Sequence, residues 1–131
     1  MIQEKNFKLT RIERLSGRKR IEHLYANGKS LHTPSIRLMW ILNTEDKVLS
    51  LSQVMFSAPK KKFKKAVTRN RLKRLMRESY RKNKHLLYDF LSEKKISIHF
   101  SIVFTGSADI SYAEIEGKII LTLQRLIEEI K

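Results

Sequence analysis

Between Lys60 and Lys82 the chain carries twelve of its twenty-eight Lys and Arg residues and a single acid, Glu78. So much like charge cannot be packed inside a domain, because ionised side chains are almost never fully buried unless paired. The segment must lie in an outer layer, and its apolar residues must form a narrow stripe against the rest of the fold. Such a stripe exists. With residues placed about 100° apart around a helix, Thr68, Leu72, Leu75, Met76 and Ser79 fall on one side. Asn70, Arg71, Lys73, Arg74, Arg77 and Arg81 fall on the other, with Arg69 near the edge. Phe63, Ala66 and Val67 do not fit the stripe. Either the helix begins near Lys65 or its first turn packs against a different element; the first is favoured, with a basic loop over Lys60–Lys64 entering a helix that runs to Lys84 or beyond.

The run has a net charge of +11, and the rest of the chain only +4. Charge concentrated in this way marks a site. A merely solvated helix interleaves Glu with Lys for i,i+4 pairing, and this one does not. Its cations repel one another unless a partner neutralises them, and a polyphosphate would do so with release of counterions. Arginine suits phosphate because its planar fork donates bidentate bonds and its charge cannot be titrated away. Asn70, between two arginines, can reach a sugar hydroxyl or a base edge. A basic pI near 10.3 points to nucleic acid first and an anionic membrane surface second. The membrane reading needs Leu72, Leu75 and Met76 for insertion, and these are required to cover the sheet.

The remaining periodicities define an α+β sandwich with helices packed on a sheet of roughly four strands. Residues 1–131 form a single domain. Met1–Ser16 reads as an irregular arm. Ser16 is placed to cap a first helix over Gly17–Asn27, and Gly28 to stop it. Pro34 precedes a strand over Ile36–Leu42. Asn43–Asp46 reads as a turn, and Val48–Ser57 as an extended segment ended by Pro59. His85–Lys95 is ambiguous, with one further helical turn as an option. Ile96, Ile98, Phe100, Ile102 and Phe104 alternate along a strand. Ser111 and Glu114 have capping-box spacing and open a last helix. Its stripe is Ile115, Ile119, Ile120, Leu123, Leu126, Ile127 and Ile130.

Several classes are excluded or disfavoured. There is no cysteine, hence no disulfide framework or zinc ribbon. The leading segment lacks the apolar core of a signal peptide, and no stretch approaches the roughly 18 apolar residues of a membrane span; a cytoplasmic location is expected. The acids are scattered. Only Glu45-Asp46 and Glu128-Glu129 are adjacent, and His23, His32, His85 and His99 are isolated. Metal-dependent nuclease chemistry needs clustered carboxylates. No catalytic residue and no metal ligand is assigned to the protein. Trp40, Met39 and Tyr25 are candidates for stacking on bases, with core packing the competing role, favoured for Trp40. His99 either lines a cleft or is solvated.

The segment Ala66-Val-Thr-Arg69-Asn70-Arg71-Leu-Lys73-Arg74-Leu-Met-Arg77-Glu78-Ser-Tyr80 resembles the signature of the bacterial ribonuclease P protein subunit: a basic pair, a spacer, an Arg-Asn-Arg box, then Lys-Arg and Arg. Phe7–Gly28 is similar to that family's arm and first helix, Ile36–Ala58 to its antiparallel strands, and Ile98–Gly106 to its last strand. Where the family's first helix often presents Phe, this chain has Ile21 and Tyr25. The resemblance implies an α+β sandwich of the ribosomal protein S5 domain 2 type, with a left-handed crossover between parallel strands. That handedness runs against the general right-handed expectation. It further implies a non-catalytic partner of a catalytic RNA. The RNA and its Mg²⁺ ions would cut the 5′ leader from precursor tRNA. The RNA would be bound through Lys60, Lys61, Lys62, Lys64, Lys65, Arg69, Asn70, Arg71, Lys73, Arg74, Arg77 and Arg81. The leader would lie in a cleft holding Ile21, Tyr25, Met39 and His99. Neither a membrane nor DNA is expected as a partner; a structural ribosomal-RNA-binding protein is the alternative.

Overall fold

A computed structural model of the chain describes residues 9–45, 48 and 50–131. Among these residues four α-helices and four strands follow one another as α1 (Arg18–Asn27), β1 (Lys29–Thr33), β2 (Ile36–Leu42), β3 (Ser52–Ser57), α2 (Ala66–Asn83), α3 (His85–Lys94), β4 (Ile98–Phe104) and α4 (Tyr112–Ile130). The sheet order is β1-β2-β4-β3. The β1/β2 and β2/β4 pairs are antiparallel and β3/β4 is parallel. Parallel neighbours need a crossover, and α2 with α3 supplies it.

The register separates the two faces. Leu38 opposes Ile102, Trp40 opposes Phe100, and Val54 opposes Phe100 from the other side. These residues, with Ile36, Ile98 and Phe104, are buried in one core together with Leu72, Met76 and Tyr80 of α2 and Ile115, Ile119, Leu123 and Leu126 of α4. Burying each such side chain contributes about 1.5–3 kcal/mol, so a thin stripe suffices to dock the most charged helix in the chain. Trp40 therefore belongs to the core and is not a stacking platform. Tyr80 completes the α2 stripe one turn beyond Met76. It packs edge-on to Phe56 and Phe100, with centroids 5.7 and 5.8 Å away, and its hydroxyl meets Ser52 Oγ at 2.9 Å.

Several boundaries differ from the sequence expectation. The N-cap of α1 is Gly17, at φ 92°, with no side-chain cap, so Ser16 does not serve. The strand β1 was not anticipated; Pro34 and the positive-φ Ser35 turn it tightly into β2. Of the extended segment expected over Val48–Ser57, Ser52–Ser57 forms the strand, Leu51 O accepts the Ile98 amide at 3.0 Å, and Val48 is exposed. Asp46 of the expected turn lies outside the described residues, while Asn43 Oδ1 accepts the Glu45 amide at 2.9 Å. The His85–Lys95 ambiguity resolves as a full helix that ends on the left-handed Lys95. Ile96 closes that end by donating its amide to Leu91 O, so β4 starts at Ile98. The capping box of α4 forms as expected.

The part of the arm within the described residues is ordered by one turn of 3₁₀ helix at Arg11–Glu13 and by a bridge between Arg14 and Val54. Leu15 donates its amide to Val54 O at 2.9 Å. The arm thus covers the β3 edge, which would otherwise offer unpaired backbone groups.

Gly28 is needed for space rather than for φ. A Cβ there would lie 2.4 Å from Leu24 O and 3.2 Å from Trp40 O, both backbone atoms. Gly28→Ala should push α1 off β2 and destabilise the fold by about 1–3 kcal/mol, as overpacking does. An unshifted denaturation midpoint would show that the α1–β2 junction relaxes freely.

Candidate RNA-binding face

The entry loop is built around Phe63. Its ring is buried and stacks on Phe104 with centroids 5.9 Å apart, which explains why it did not fit the α2 stripe. Pro59 O accepts the amides of Lys62 and Phe63. Lys62 Nζ donates to Thr105 O. With the loop closed inward by these contacts, Lys60, Lys61, Lys64 and Lys65 remain exposed.

The Arg-Asn-Arg box then divides by task. Arg69 Nη1 donates to Phe63 O and Lys64 O at 2.8 and 2.9 Å, tying the loop to the first turn of α2. Arg71 donates from Nη1 to Ala108 O at 2.9 Å and from Nη2 to Ile110 O at 2.7 Å, tying α2 to the β4–α4 connection. Asn70 lies between them and is exposed. A guanidinium has five N–H donors, so both arginines keep donors and their full charge for an anion while holding the scaffold.

Farther along α2, Arg74 and Arg77 are exposed and Lys73 is half-buried. None of the three has a carboxylate within ion-pair distance among the described residues. Arg81 differs: its Nη2 pairs with Glu78 Oε1, and its Nε donates to Oε2 at 3.2 Å. The pairing holds the Glu78 carboxyl below the usual range against the opposing effect of desolvation. The charge of Arg81 is therefore partly offset, and the densest unpaired cation lies between Lys60 and Arg77.

The opposite face of the sheet carries Met39, Ile41, His99, Ser101, Gln53 and Met55, with Met39 opposing Ser101 and Ile41 opposing His99. At its margin, Arg20 of α1 forms two bonds to Glu45, at 2.8 and 2.9 Å. Ile21 is half-buried and Tyr25, one turn on, is 45% exposed. His99 is not solvated; it is 4% exposed beside Lys19, Arg20 and His23, with Nε2 3.7 Å from Glu45 Oε2. Burial holds its pKa below the ordinary value even though Glu45 pulls the other way. It is neutral at neutral pH.

The ribonuclease P family model, described as Ribonuclease P, matches residues 9–127. The chain belongs to this family. The ribonuclease P protein component of Porphyromonas gingivalis strain W83 is 41% identical over an alignment that covers 79% of this chain and 76% of that protein. The ribonuclease P protein component of Chlorobium phaeobacteroides is 36% identical, covering 66% of this chain and 64% of its own length. Among solved ribonuclease P proteins, that of Thermotoga maritima superposes with a TM-score of 0.67 at 24% identity, covering 86% of this chain and 96% of its own. The Staphylococcus aureus protein superposes at 0.63 and 18% identity, covering 88% and 97%. These structures share the four-stranded mixed sheet and its helices. The arginine ties from α2 to the entry loop and to the β4–α4 connection are what sequence reading missed; no periodicity signals a bond from a cation to a distant carbonyl.

Proposed function

We infer that this chain is the protein component of ribonuclease P, an accessory RNA-binding subunit for endonucleolytic removal of the 5′ leader from precursor tRNA. The observation that carries this reading is the unpaired cationic face of the entry loop and α2, in a chain of this family. The exposed lysines, with Asn70, Lys73, Arg74 and Arg77, would neutralise phosphates of the catalytic RNA, and Arg69 and Arg71 would add charge while fixing the scaffold. The leader would run along the opposite sheet face, with Ile21, Tyr25 and Met39 offering apolar surface. His99 would act from beneath, keeping that surface uncharged.

Hydrolysis is assigned to the RNA partner. Among the described residues no three His, Asp or Glu side chains come together as a metal-binding group. The Mg²⁺ ions of the reaction are proposed to be held by the RNA partner, as the family resemblance implies. Also among the described residues, no helix is long and apolar enough to cross a membrane. Independently of that, a subunit acting on precursor tRNA is proposed to work where that substrate is found, in the cytoplasm.

Reconstitution with the cognate RNA should raise precursor cleavage at low Mg²⁺, and the protein alone should cut nothing. Absence of stimulation, or copurification with ribosomal subunits in place of one small RNA, would sink this reading. Tyr25→Ala should reduce the preference for precursor over mature tRNA. Equal loss for both would remove Tyr25 from the leader path.

A further inference from the structure

Beside α2, on the edge of β3, lies a groove that the charge stripe alone does not describe. Its first part is a pocket of about 270 Å³ between Leu9, Arg14, Phe56, Lys73 and Arg77. A second, of about 340 Å³, adjoins it and shares Leu9, Arg14 and Arg77. In the first pocket the apolar lining is Leu9, Leu15, Val54, Met55 and Phe56 and every charged lining residue is a cation; the second adds Arg74 and the Glu78–Arg81 ion pair. Arg14, Lys73 and Arg77 have no carboxylate partner among the described residues. The acid next to Arg14 is Glu13, and it is turned inward: both oxygens accept from Lys84 Nζ, at 2.9 and 2.7 Å. Thr10 and Tyr88 bond the same carboxylate. Arg14 is thereby held at the groove by a buried anchor on the preceding residue, which lowers the ordering cost of any ligand it meets.

An apolar floor under converging cations does not match a duplex, which shows phosphates but keeps its bases stacked. It matches a base taken out of a stack, with its flanking phosphates at the rim. We propose that this groove seats one unstacked nucleotide of single-stranded RNA, with the base against Leu9 and Phe56 and the phosphates on Arg14, Lys73 and Arg77. The proposal rests on the reading of this chain as an RNA-binding subunit. It adds the arm, through Arg14, to a binding face otherwise made of α2 and its entry loop. The nucleotide belongs either to the catalytic RNA or to the precursor.

The chain has no cysteine, and Ile12 on the arm is 48% exposed and outside both pockets. Ile12→Cys therefore gives one attachment point for an iron–EDTA hydroxyl-radical source. The labelled protein should cut one unpaired nucleotide strongly. Cleavage in the catalytic RNA alone, or only when precursor is added, identifies the source. Adding Arg14→Ala should lower that focused cleavage at least five-fold with RNA still bound, and should reduce the salt slope of binding by about 0.7, the value for one single-strand phosphate. Focused cleavage and slope both unchanged by Arg14→Ala, or cleavage only in paired regions, would overturn the nucleotide seat and leave the subunit reading intact. Failure of the unlabelled protein to bind either RNA would overturn both.

Discussion

Removing the charges of Lys73, Arg74 and Arg77 together is expected to lower RNA affinity roughly 100-fold near physiological salt. These three have no carboxylate partner among the described residues, so nothing on the protein compensates them. Each phosphate contact releases about 0.7–0.9 of a counterion. At about 0.15 M salt that is somewhat less than a factor of ten per contact, and three contacts give the stated loss. The slope of log K against log salt should fall by about two to three units. The fold should survive, because the apolar contacts of α2 are made by Leu72, Met76 and Tyr80 on its other side. A triple variant with native thermal stability and an unchanged salt slope would place the RNA elsewhere. Arg71→Ala is the informative contrast. It gives up the bonds to Ala108 and Ile110, so its affinity loss should come with a loss of stability, about 1–3 kcal/mol for bonds to a charged group.

That contrast marks where sequence reading reaches its limit. A periodic stripe is a local signal, and local signals were legible: the Leu72/Met76 stripe, the strand read from the Ile98–Phe104 alternation (both faces of which are buried) and the Ser111/Glu114 box all form. Tyr80 could have been added from the same i,i+4 spacing. What was not legible depends on partners far away in sequence. The β1 strand is an edge strand with weak alternation, and only its pairing with β2 identifies it. The cations of the Arg-Asn-Arg box look equivalent in a helical projection, yet Arg71 reaches carbonyls 37 and 39 residues away. The arm reads as irregular because its anchor, Lys84, is 71 residues from Glu13.

That anchor should give the largest stability effect in the protein. Glu13 and Lys84 have side chains only 6% and 7% exposed, with nitrogen and oxygen 2.7 Å apart. Burial raises the Glu13 pKa, but the bonds from Lys84, Tyr88 and Thr10 together outweigh it, and the carboxyl sits below its ordinary value. Burial and the bond to this carboxylate push the Tyr88 hydroxyl up to about 12. Lys84→Met keeps the stem and strands a buried carboxylate. Breaking a buried pair from one side costs about 3–5 kcal/mol, a fall in Tm of roughly 10–20 °C for a chain of this size. The double variant Glu13→Leu, Lys84→Met should recover much of the loss, since an apolar replacement of both partners is often near neutral.

The pH dependence separates this cause from simple loss of packing. In the native protein the folded Glu13 pKa is depressed, so its contribution is fully present above the ordinary Glu value of about 4.3. It is lost as pH falls through the lower folded value. In Lys84→Met the same carboxyl lacks its cation, its folded pKa rises, and acidification relieves the strain by protonating it. The stability gap between the two proteins should therefore be widest near neutral pH and should narrow as pH falls through the carboxylate range. A gap that stays constant with pH would mean that Lys84 acts through its aliphatic stem. The arm, and with it Arg14, would then be held by the Leu15–Val54 bond and apolar contact rather than by charge.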